Sequence, residues 1–220
     1  MKARVQDGPP LHVSTKAEAV YQELRSRILD GSIEPGSTLN QEVLAAGLGL
    51  SITPLREALR RLEAEGLVRL EAHRTMTVAP LTRRELNELY AVRLQLDPFA
   101  AALTAQTAPD DVLAEIARVA SRRADRTPRA LLHNNRTFHH AIYSNCGNLV
   151  LIGILDQLWT RTDRYRLIVL QDELQKRAAQ EEHREIAAAL ADRYPKEVGA
   201  LVSQHVEKTQ RLIEQLAEGL

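Results

Sequence analysis

The chain has 220 residues, and its 29 Lys and Arg residues balance 29 Asp and Glu residues, so its formal net charge at pH 7 is zero. This length is enough for one or two domains with their own cores, and 44% hydrophobic and 26% charged residues are ordinary for a soluble protein. No apolar run approaches the roughly 20 residues that a membrane-spanning helix needs, which excludes that class of membrane protein.

A single cysteine, Cys146, excludes an internal disulfide and fits a reducing compartment. Residues 1–14 lack the apolar segment of a secretory signal, so we expect a cytoplasmic protein with no membrane partner. Aromatic residues make up only 4% of the chain, whereas Ala, Leu and Arg are abundant, and this composition favours helices.

The first part of the chain predicts a flexible arm at residues 1–14 and an amphipathic helix at residues 15–29. The apolar residues of this helix recur every four positions: Val20, Leu24 and Ile28. Pro35 and Gly36 then mark a turn, and a second, short helix begins near Asn40. The residues of the second helix that we expect to face the core are Val43, Leu44 and Leu48.

Residues 51–66 predict a third helix, capped by Ser51 and ending at a glycine that can take the left-handed conformation. Apolar residues at i, i+4 and i+7 form a stripe that must pack on a core: Leu55, Leu59 and Leu62. Thr53, Arg56 and Arg60 lie off this stripe. A short helix with a core face and an Arg/Thr face is typical of helices that read a DNA groove.

Two short runs after this helix, residues 67–70 and 76–79, predict β-strands around a polar tip. Three helices and a two-stranded ribbon in this order predict a winged helix-turn-helix over residues 15–80. The net charge of residues 1–80 is zero, so any DNA contact must come from a local cluster. The three Arg and one Glu between residues 51 and 61 form a modest one.

Residues 81–220 carry no convincing strand signal and predict six helices with short connections, which is typical of an antiparallel bundle. The expected bounds are 82–107, 109–126, 128–145, 148–170, 172–191 and 195–218. Each helix has an apolar stripe, and that of the first comprises Leu86, Leu89, Val92 and Leu96. The fold class is therefore mainly α, with an N-terminal winged helix-turn-helix and a C-terminal six-helix bundle.

One sequence pattern covers the whole N-terminal domain and continues into the bundle. It comprises Pro35-Gly36, Thr53-Pro54, Arg56-Glu57-Ala58-Leu59, Glu65-Gly66-Leu67, Leu89-Tyr90, Arg93, Phe138-His139 and the segment from Asn145 to Asn148. In this pattern the chain resembles GntR-family transcription regulators of the FadR-like (FCD) subgroup. Its six bundle helices are similar to those of the VanR-like branch.

The resemblance implies a homodimer whose two winged helices bind a short palindromic operator in double-stranded DNA. It also implies that the bundle binds a small organic acid, often beside a metal ion, and that this carboxylate effector changes the spacing or mobility of the two DNA-binding domains. We therefore expect a ligand-responsive regulator that acts as a repressor and is not an enzyme.

The candidate DNA contacts lie on the first and third helices and at the wing tip: Arg25, Ser51, Thr53, Arg56, Arg60, His73 and Arg74. The alternative for Arg56 and Arg60 is a solvated helix face with local ion pairs, and Arg25 could instead brace the first helix. The family often has Arg at the position of Ile52, where it can read guanine with about 1–3 kcal/mol of discrimination. The wing tip also lacks the Gly that the family often has.

Five histidines lie in the bundle, and three of them are placed to share one site. His139 follows Asn135 by one helical turn, and His183 and His205 lie at the centres of the last two helices. Antiparallel neighbours can bring such midpoints together around a metal ion. The spacing resembles the FCD metal site, in which an Asp stands at the position of Asn135.

Because Asn135 stands where the family has Asp, the four expected metal ligands carry no negative charge. Zinc is the expected ion, with nickel and manganese as alternatives, because imidazole ligands do not favour calcium or magnesium. The alternative for each histidine is a hydrogen-bonded core residue. His133 and His140 are expected to be bystanders.

Arg93 and Arg164 are the candidates to bind the effector carboxylate. Arg93 lies in a stretch of the first bundle helix that otherwise faces the core, and its guanidinium group suits bidentate carboxylate binding. Arg164, like Arg161 beside it, could instead belong to an exposed Arg-rich helix face.

Two other functions stay open for the sequence. One is a constitutive DNA-binding regulator with neither metal nor effector. The other is a metal-dependent enzyme, which the sequence disfavours because it has neither the Glu-x-x-His pairs of a di-iron protein nor an HExxH motif.

Overall fold

The computed structural model describes residues 16–71, 75–122, 127–169 and 173–217, so the expected arm at residues 1–14 lies outside the described part. The N-terminal elements are α1 (Lys16–Leu29), β1 (Thr38–Leu39), α2 (Gln41–Gly47), α3 (Ile52–Ala64), β2 (Val68–Leu70) and β3 (Met76–Val78). The C-terminal elements are α4 (Arg83–Thr107), α5 (Asp110–Ala120), α6 (Pro128–Tyr143), α7 (Leu149–Val169), α8 (Glu173–Ala191) and α9 (Pro195–Leu216). The predicted fold class, mainly α with six bundle helices, is confirmed.

α1 and α3 form the core of the N-terminal domain. The predicted stripes of both helices are buried: Val20, Leu24, Ile28, Leu55, Leu59 and Leu62. Burial of such an aliphatic side chain contributes about 1.5–3 kcal/mol, so the stripes hold the two helices together. The prediction for Val43 is wrong, because the seven-residue α2 buries Ala45 and leaves Val43 66% exposed.

The wing belongs to a three-stranded antiparallel sheet in the order β1-β3-β2. The two predicted strands pair with Val68 opposite Val78 and Leu70 opposite Met76. The third strand, β1, pairs with β3 and was not predicted, because its two residues are too few to show an alternating pattern. It ties the segment before α2 to the wing.

α3 ends at a left-handed glycine that also touches the bundle. Gly66 has φ +73°, and the N–H groups of Gly66 and Leu67 donate to the carbonyl groups of Glu63 and Leu62 at 2.9 Å. A Cβ atom at this position would lie 3.2 Å from the Arg161 side chain of α7. Both the backbone conformation and the close approach of the bundle therefore favour glycine.

The bundle core forms mainly where α4 packs along α9 and where α5 packs against α8. Large buried side chains in it are Leu86, Tyr90, Ile116, Phe138, Tyr165 and Val206. Val92 of α4 was expected inside but is 43% exposed. Within the described ranges every helix is too short or too polar to span a bilayer.

The two domains meet at the start of α4. Thr82 Oγ1 caps this helix by accepting a 3.1 Å hydrogen bond from the Glu85 N–H group. The Tyr165 hydroxyl of α7 accepts from the Thr82 N–H group at 3.0 Å and donates to the Glu85 carboxylate at 2.7 Å. Arg161 pairs with the same carboxylate at 2.5 Å. The segment at residues 80–82, which joins the two domains, is therefore fastened to α7.

Candidate functional site

The exposed face of α3 borders an open groove of ≈ 830 Å³ between α2, α3 and the wing strands. Arg56 and Arg60 line this groove one helical turn apart, and Arg56 Nε donates a 3.1 Å hydrogen bond to Gln41 Oε1. Glu42 and Glu63 line it as well, so its positive charge is limited. Two outward guanidinium groups on a packed helix can contact base edges or phosphates. Because the sequence predicts DNA contacts here, we call this surface the DNA-reading face, and its contacts with DNA stay predictions.

The first turn of α3 faces solvent next to these arginines. Ser51 occupies the N-cap position, but its exposed side chain makes no capping hydrogen bond. Thr53 is exposed as well. Because the first N–H groups of a helix lack partners within the helix and attract anions, this turn and its two hydroxyl groups suit a phosphate contact.

Arg61 faces α1 and not the groove. It pairs with Glu18 at 2.5 Å, and its guanidinium carbon lies 3.8 Å from the centre of the Tyr21 ring. Arg61 therefore braces the N-terminal core, although it directly follows Arg60 in the sequence.

Arg25 lies at the junction of the two domains. Its Nε atom pairs with Glu65 at 3.0 Å, and its Nη2 atom donates to Thr160 Oγ1 of α7 at 3.1 Å. In this conformation the bracing alternative describes these contacts of Arg25, and a phosphate contact by the rest of its guanidinium group stays a prediction.

The predicted wing-tip contacts, His73 and Arg74, lie outside the described residues. Leu70 and Thr75 on either side of the tip line the groove beside α3. The wing therefore borders the DNA-reading face, and the contacts of its tip stay predictions.

Three buried histidines converge in the bundle, and we call them the histidine cluster. His139 of α6, His183 of α8 and His205 of α9 place one potential ligand atom each within 4.8 Å of the others. The Nε2 atom of each ring is buried and has no hydrogen-bond partner in the described part of the chain. Since native interiors rarely leave such atoms unpaired, the cluster is suited to a metal ion held by three imidazole nitrogens.

The protonation state of the cluster suits metal binding. Burial, reinforced by the neighbouring rings and Arg166, lowers the pKa of His139 and His183 well below the usual value. Burial also lowers the pKa of His205, although its Nδ1 atom lies 2.7 Å from Glu182 Oε2. That carboxylate favours a proton on Nδ1, which leaves the Nε2 lone pair free for an ion.

Asn135 lies one turn before His139 on α6 and is 8% exposed. Its Oδ1 atom accepts a 3.3 Å hydrogen bond from Arg166 Nη1, and its Nδ2 atom has no partner among the described residues. The amide is therefore buried beside the cluster, and its role as a fourth metal ligand stays a prediction.

The two predicted effector arginines occupy different places. Arg93 is fully buried, pairs with Asp97 at 2.5 Å and donates to Thr162 Oγ1 at 3.3 Å. Arg164 is buried at the domain junction, where its Nη2 atom donates to the Pro80 carbonyl group at 3.3 Å. Among the described residues, Arg166 is a further buried arginine close to the histidine cluster, and two of its nitrogen atoms have no hydrogen-bond partner there.

Arg166 and Trp159 were missed as site residues. The Trp159 ring lies 4.4 Å from the His139 ring and 4.8 Å from the Arg166 guanidinium carbon. A signal was present, because Leu155, Trp159 and Arg166 share one face of α7 at i, i+4 and i+11. The Arg-rich composition of the helix concealed the fact that one arginine continues its buried stripe.

The chain matches two family models, the gntR family of bacterial regulatory proteins over residues 16–78 and the FCD domain over residues 88–208. The HTH-type transcriptional regulator McbR of Escherichia coli (strain K12) is 30% identical over 158 residues, which cover 70% of this chain and 71% of McbR. The HTH-type transcriptional repressor GlaR of the same organism is 27% identical over 212 residues, which cover 90% of this chain and 96% of GlaR.

The fold also matches a solved structure, that of E. coli McbR/YncC, with a TM-score of 0.75 and 24% identity over 91% of this chain and 98% of that one. The FCD match alone covers more than half of the chain, and the N-terminal match covers the domain that carries the DNA-reading face. The chain therefore belongs to the GntR family of bacterial regulatory proteins, in the group with an FCD domain, and is a DNA-binding transcription regulator and not an enzyme.

Proposed function

We propose that the protein is a ligand-responsive repressor. A homodimer holds a palindromic operator with its two α3 helices and releases it when a small carboxylate binds beside a divalent metal ion in the bundle. The observation that carries the proposal is the convergence of His139, His183 and His205 with unpaired Nε2 atoms in the described structure. The name of the relative GlaR, a transcriptional repressor, supports the direction of the response.

The donor atoms fit a borderline divalent ion. His139, His183 and His205 supply neutral imidazole nitrogens, and Asn135 supplies an amide oxygen on the same helix face as His139. Such donors favour zinc over calcium or magnesium, with nickel and manganese as alternatives. When bound, zinc would supply an open coordination position for a carboxylate oxygen of the effector.

An effector has to move side chains to enter. The cavity beside the histidine cluster has a volume of ≈ 10 Å³, which is about the space of one water molecule. Its lining includes Asp97, His139, Tyr143 and Trp159. Because the cavity is too small for a carboxylic acid, binding must displace part of this lining. Trp159 belongs to α7, so its displacement would disturb that helix.

α7 connects the histidine cluster with the DNA-binding domain. The Trp159 ring packs against the His139 ring at a tilt of 30°, and the next residue, Thr160, accepts the hydrogen bond of Arg25 from α1. Arg161 follows and pairs with the carboxylate at the start of α4. Because consecutive residues of a helix move together, displacement of Trp159 would disturb the contacts that hold the DNA-binding domain in place.

An exposed apolar surface on α4 and α7 supports the homodimer. Val92 and Phe99 of α4 are 43% and 52% exposed, and Leu149 and Val150 of α7 are 85% and 75% exposed. The two helices pack against each other. Large apolar side chains exposed on neighbouring helices mark an interaction surface, and a second copy of the chain presents the same surface.

Metal analysis tests the metal part of the proposal. Untagged protein purified without a chelator should contain about one equivalent of zinc per chain, and His139→Ala should lose it. The matched control is His140→Ala, which removes a half-exposed imidazole one position along the same helix. Equal metal content in the wild type and His139→Ala would refute the metal site.

A gel-shift assay tests the response to the effector. The DNA is a sequence selected from a random pool by the wild-type protein, and the additives are small mono- and dicarboxylates. At least one of them should weaken DNA binding and raise the melting temperature, because a ligand that binds the native state stabilises it. If none changes either property, the protein is the constitutive regulator of the alternative hypothesis.

A further inference from the structure

Unpaired polar atoms are concentrated around the histidine cluster. Besides the three Nε2 atoms, Trp159 Nε1, Asp97 Oδ1 and two nitrogen atoms of Arg166 are buried without a hydrogen-bond partner in the described part of the chain. Native interiors contain few such atoms. Their concentration at one place indicates a site built for a polar occupant.

Within the described part of the chain, Arg166 is a buried cation of this site without a carboxylate partner. It is 5% exposed, and its Nη1 atom donates to Asn135 Oδ1 at 3.3 Å. Its guanidinium carbon lies 4.8 Å from the centre of the Trp159 ring. The Nε and Nη2 atoms have no partner within the described ranges, and a buried guanidinium is costly without one.

Arg93 illustrates what the free edge of Arg166 can bind. The Nε and Nη2 atoms of Arg93 both donate to Asp97 Oδ2, at 3.0 and 2.5 Å. The same two atoms of Arg166 are the ones without partners. This edge of a guanidinium group matches a carboxylate, so a ligand carboxylate can occupy at Arg166 the place that Asp97 occupies at Arg93.

The protein's own carboxylates near the cluster are already paired with cations. Asp97 pairs with Arg93, and Glu182 pairs with Lys208. Asp163 pairs with Arg136, which it shares with Asp156. The metal donors, three neutral imidazoles and the Asn135 amide, bring no charge. A bound divalent ion would add two positive charges beside Arg166, whose Nε and Nη2 atoms have no partner in the described part of the chain, so the site would favour an anionic ligand.

We propose that Arg166 binds the effector and that the site selects molecules with two anionic groups, of the dicarboxylate class, over monocarboxylates. One anionic group neutralises the ion and the other fills the free edge of Arg166. The inference rests on the proposed function of the bundle as an effector site, and it specifies the class of effector. Arg93 then acts as a positioning residue, because its guanidinium lies 3.9 Å from the Trp159 ring centre.

Titration calorimetry of the zinc-loaded full chain tests this selectivity with acids matched in length. Malonate, succinate and glutarate carry two carboxylates, whereas acetate, propionate and butyrate carry one. We expect the best dicarboxylate to bind at least about tenfold more tightly than the best monocarboxylate. Equal affinity of the two series would overturn the dicarboxylate inference alone, whereas no binding of any acid would refute the effector site and the inference with it.

Arg166→Gln removes the charge and the free edge. It should reduce dicarboxylate affinity to the level of the monocarboxylates, with zinc content unchanged and monocarboxylate affinity altered less than about twofold. The matched control is Arg161→Gln on the same helix, which removes a guanidinium from the domain junction and should keep the preference. An equal loss of affinity for dicarboxylates and monocarboxylates, or a loss of bound zinc, would overturn the role of Arg166.

Two further variants keep the test decisive if Arg166→Gln does not fold. Arg166→Lys retains the charge without the fork, so it should weaken dicarboxylate binding while monocarboxylate binding persists. Asn135→Asp adds a carboxylate to the donor set and should reduce the dicarboxylate preference about tenfold while zinc binds more tightly. An unchanged preference in both variants would contradict the inference.

Discussion

The DNA-reading face and the histidine cluster use arginine in opposite ways. Arg56 and Arg60 are exposed at the groove beside α3, whereas Arg93 and Arg166 are 0% and 5% exposed in the bundle. An exposed guanidinium stays hydrated in the free protein, so it should contribute to the free energy of DNA binding and little to the free energy of folding. A buried guanidinium has already lost its water and requires a partner in every state.

This difference implies that the two regions respond to different perturbations. The DNA-reading face should tolerate substitution without loss of stability, because it contributes little to the core. The bundle site should be sensitive to pH, to its supporting hydrogen bonds and to its ligand, because its polar groups are desolvated. A perturbation that affects one region and leaves the other unchanged therefore distinguishes the two.

The largest expected difference concerns pH. Burial holds the pKa of His139, His183 and His205 below the value of about 6.5 that an unfolded chain has. As the pH falls below about 6.5, the unfolded state takes up protons that the folded state does not, so the free energy of unfolding decreases. Each histidine contributes up to about 1.4 kcal/mol per pH unit. Urea unfolding of the metal-free protein between about pH 7 and pH 5 measures this slope.

Two variants assign the pH effect to the histidine cluster. His183→Gln should flatten the slope, because it removes one buried imidazole. His140→Gln removes an exposed imidazole and should leave the slope unchanged. A slope that is identical in all three proteins would show that the cluster does not control acid stability.

Loss of Arg56 should give the next largest effect, and only on DNA binding. A bidentate base contact is worth about 1–3 kcal/mol, and a dimer loses it twice, so Arg56→Ala should weaken operator binding at least about 30-fold. The melting temperature should stay the same because the side chain is exposed. Arg61→Ala, which instead removes the contact with Glu18, should lower stability slightly and largely spare DNA binding. Normal operator affinity in Arg56→Ala would remove this residue from the DNA-reading face.

Glu182→Gln should affect the bundle site and spare the DNA-reading face. Burial would raise the pKa of Glu182, but the hydrogen bonds of His205 and Lys208 outweigh it, so the carboxylate is ionised at neutral pH. Loss of this charge should weaken zinc binding about 10- to 100-fold, because the carboxylate orients the ligating ring. Competition with a zinc chelator measures the affinity. Operator binding without effector should stay within about twofold of the wild type. Weakened operator binding with unchanged zinc affinity would contradict the separation of the two regions.

Thr160→Val should have the smallest effect, and it tests the link between the two regions. The substitution removes the acceptor of the Arg25 hydrogen bond, which is worth about 1 kcal/mol, or about fivefold in an equilibrium. The change in DNA affinity caused by an effector should shrink by up to this factor, while effector affinity stays similar. Thr107→Val is the control, because it loses a similar hydroxyl bond within α4, to Leu103. Equal behaviour of the two variants in gel-shift titrations would exclude the Thr160 contact from the response.

Local sequence patterns determined most of the elements and which side of α3 is exposed. The spacing of Leu55, Leu59 and Leu62 places Arg56 and Arg60 off the core side, because helical periodicity alone decides which residues share a face. Periodicity alone did not predict that His139, His183 and His205 share a site; that prediction also used their places on the helices and the resemblance to the FCD metal site, and the structure brings their ligand atoms within 4.8 Å of one another. Elements too short for a period, such as β1, escaped prediction.

Only the tertiary structure decided which charged groups have partners. Arg93 and Arg166 both continue buried stripes. Arg93 pairs with Asp97 one turn away, whereas among the described residues Arg166 donates its hydrogen bond to the amide of Asn135 on α6. Arg25, a candidate DNA contact by sequence, instead reaches Thr160, 135 positions later. Periodicity fixes the direction of a side chain from its own helix, but its partner depends on how distant helices pack, and that packing places the buried Arg166 guanidinium beside Trp159 and the histidine cluster.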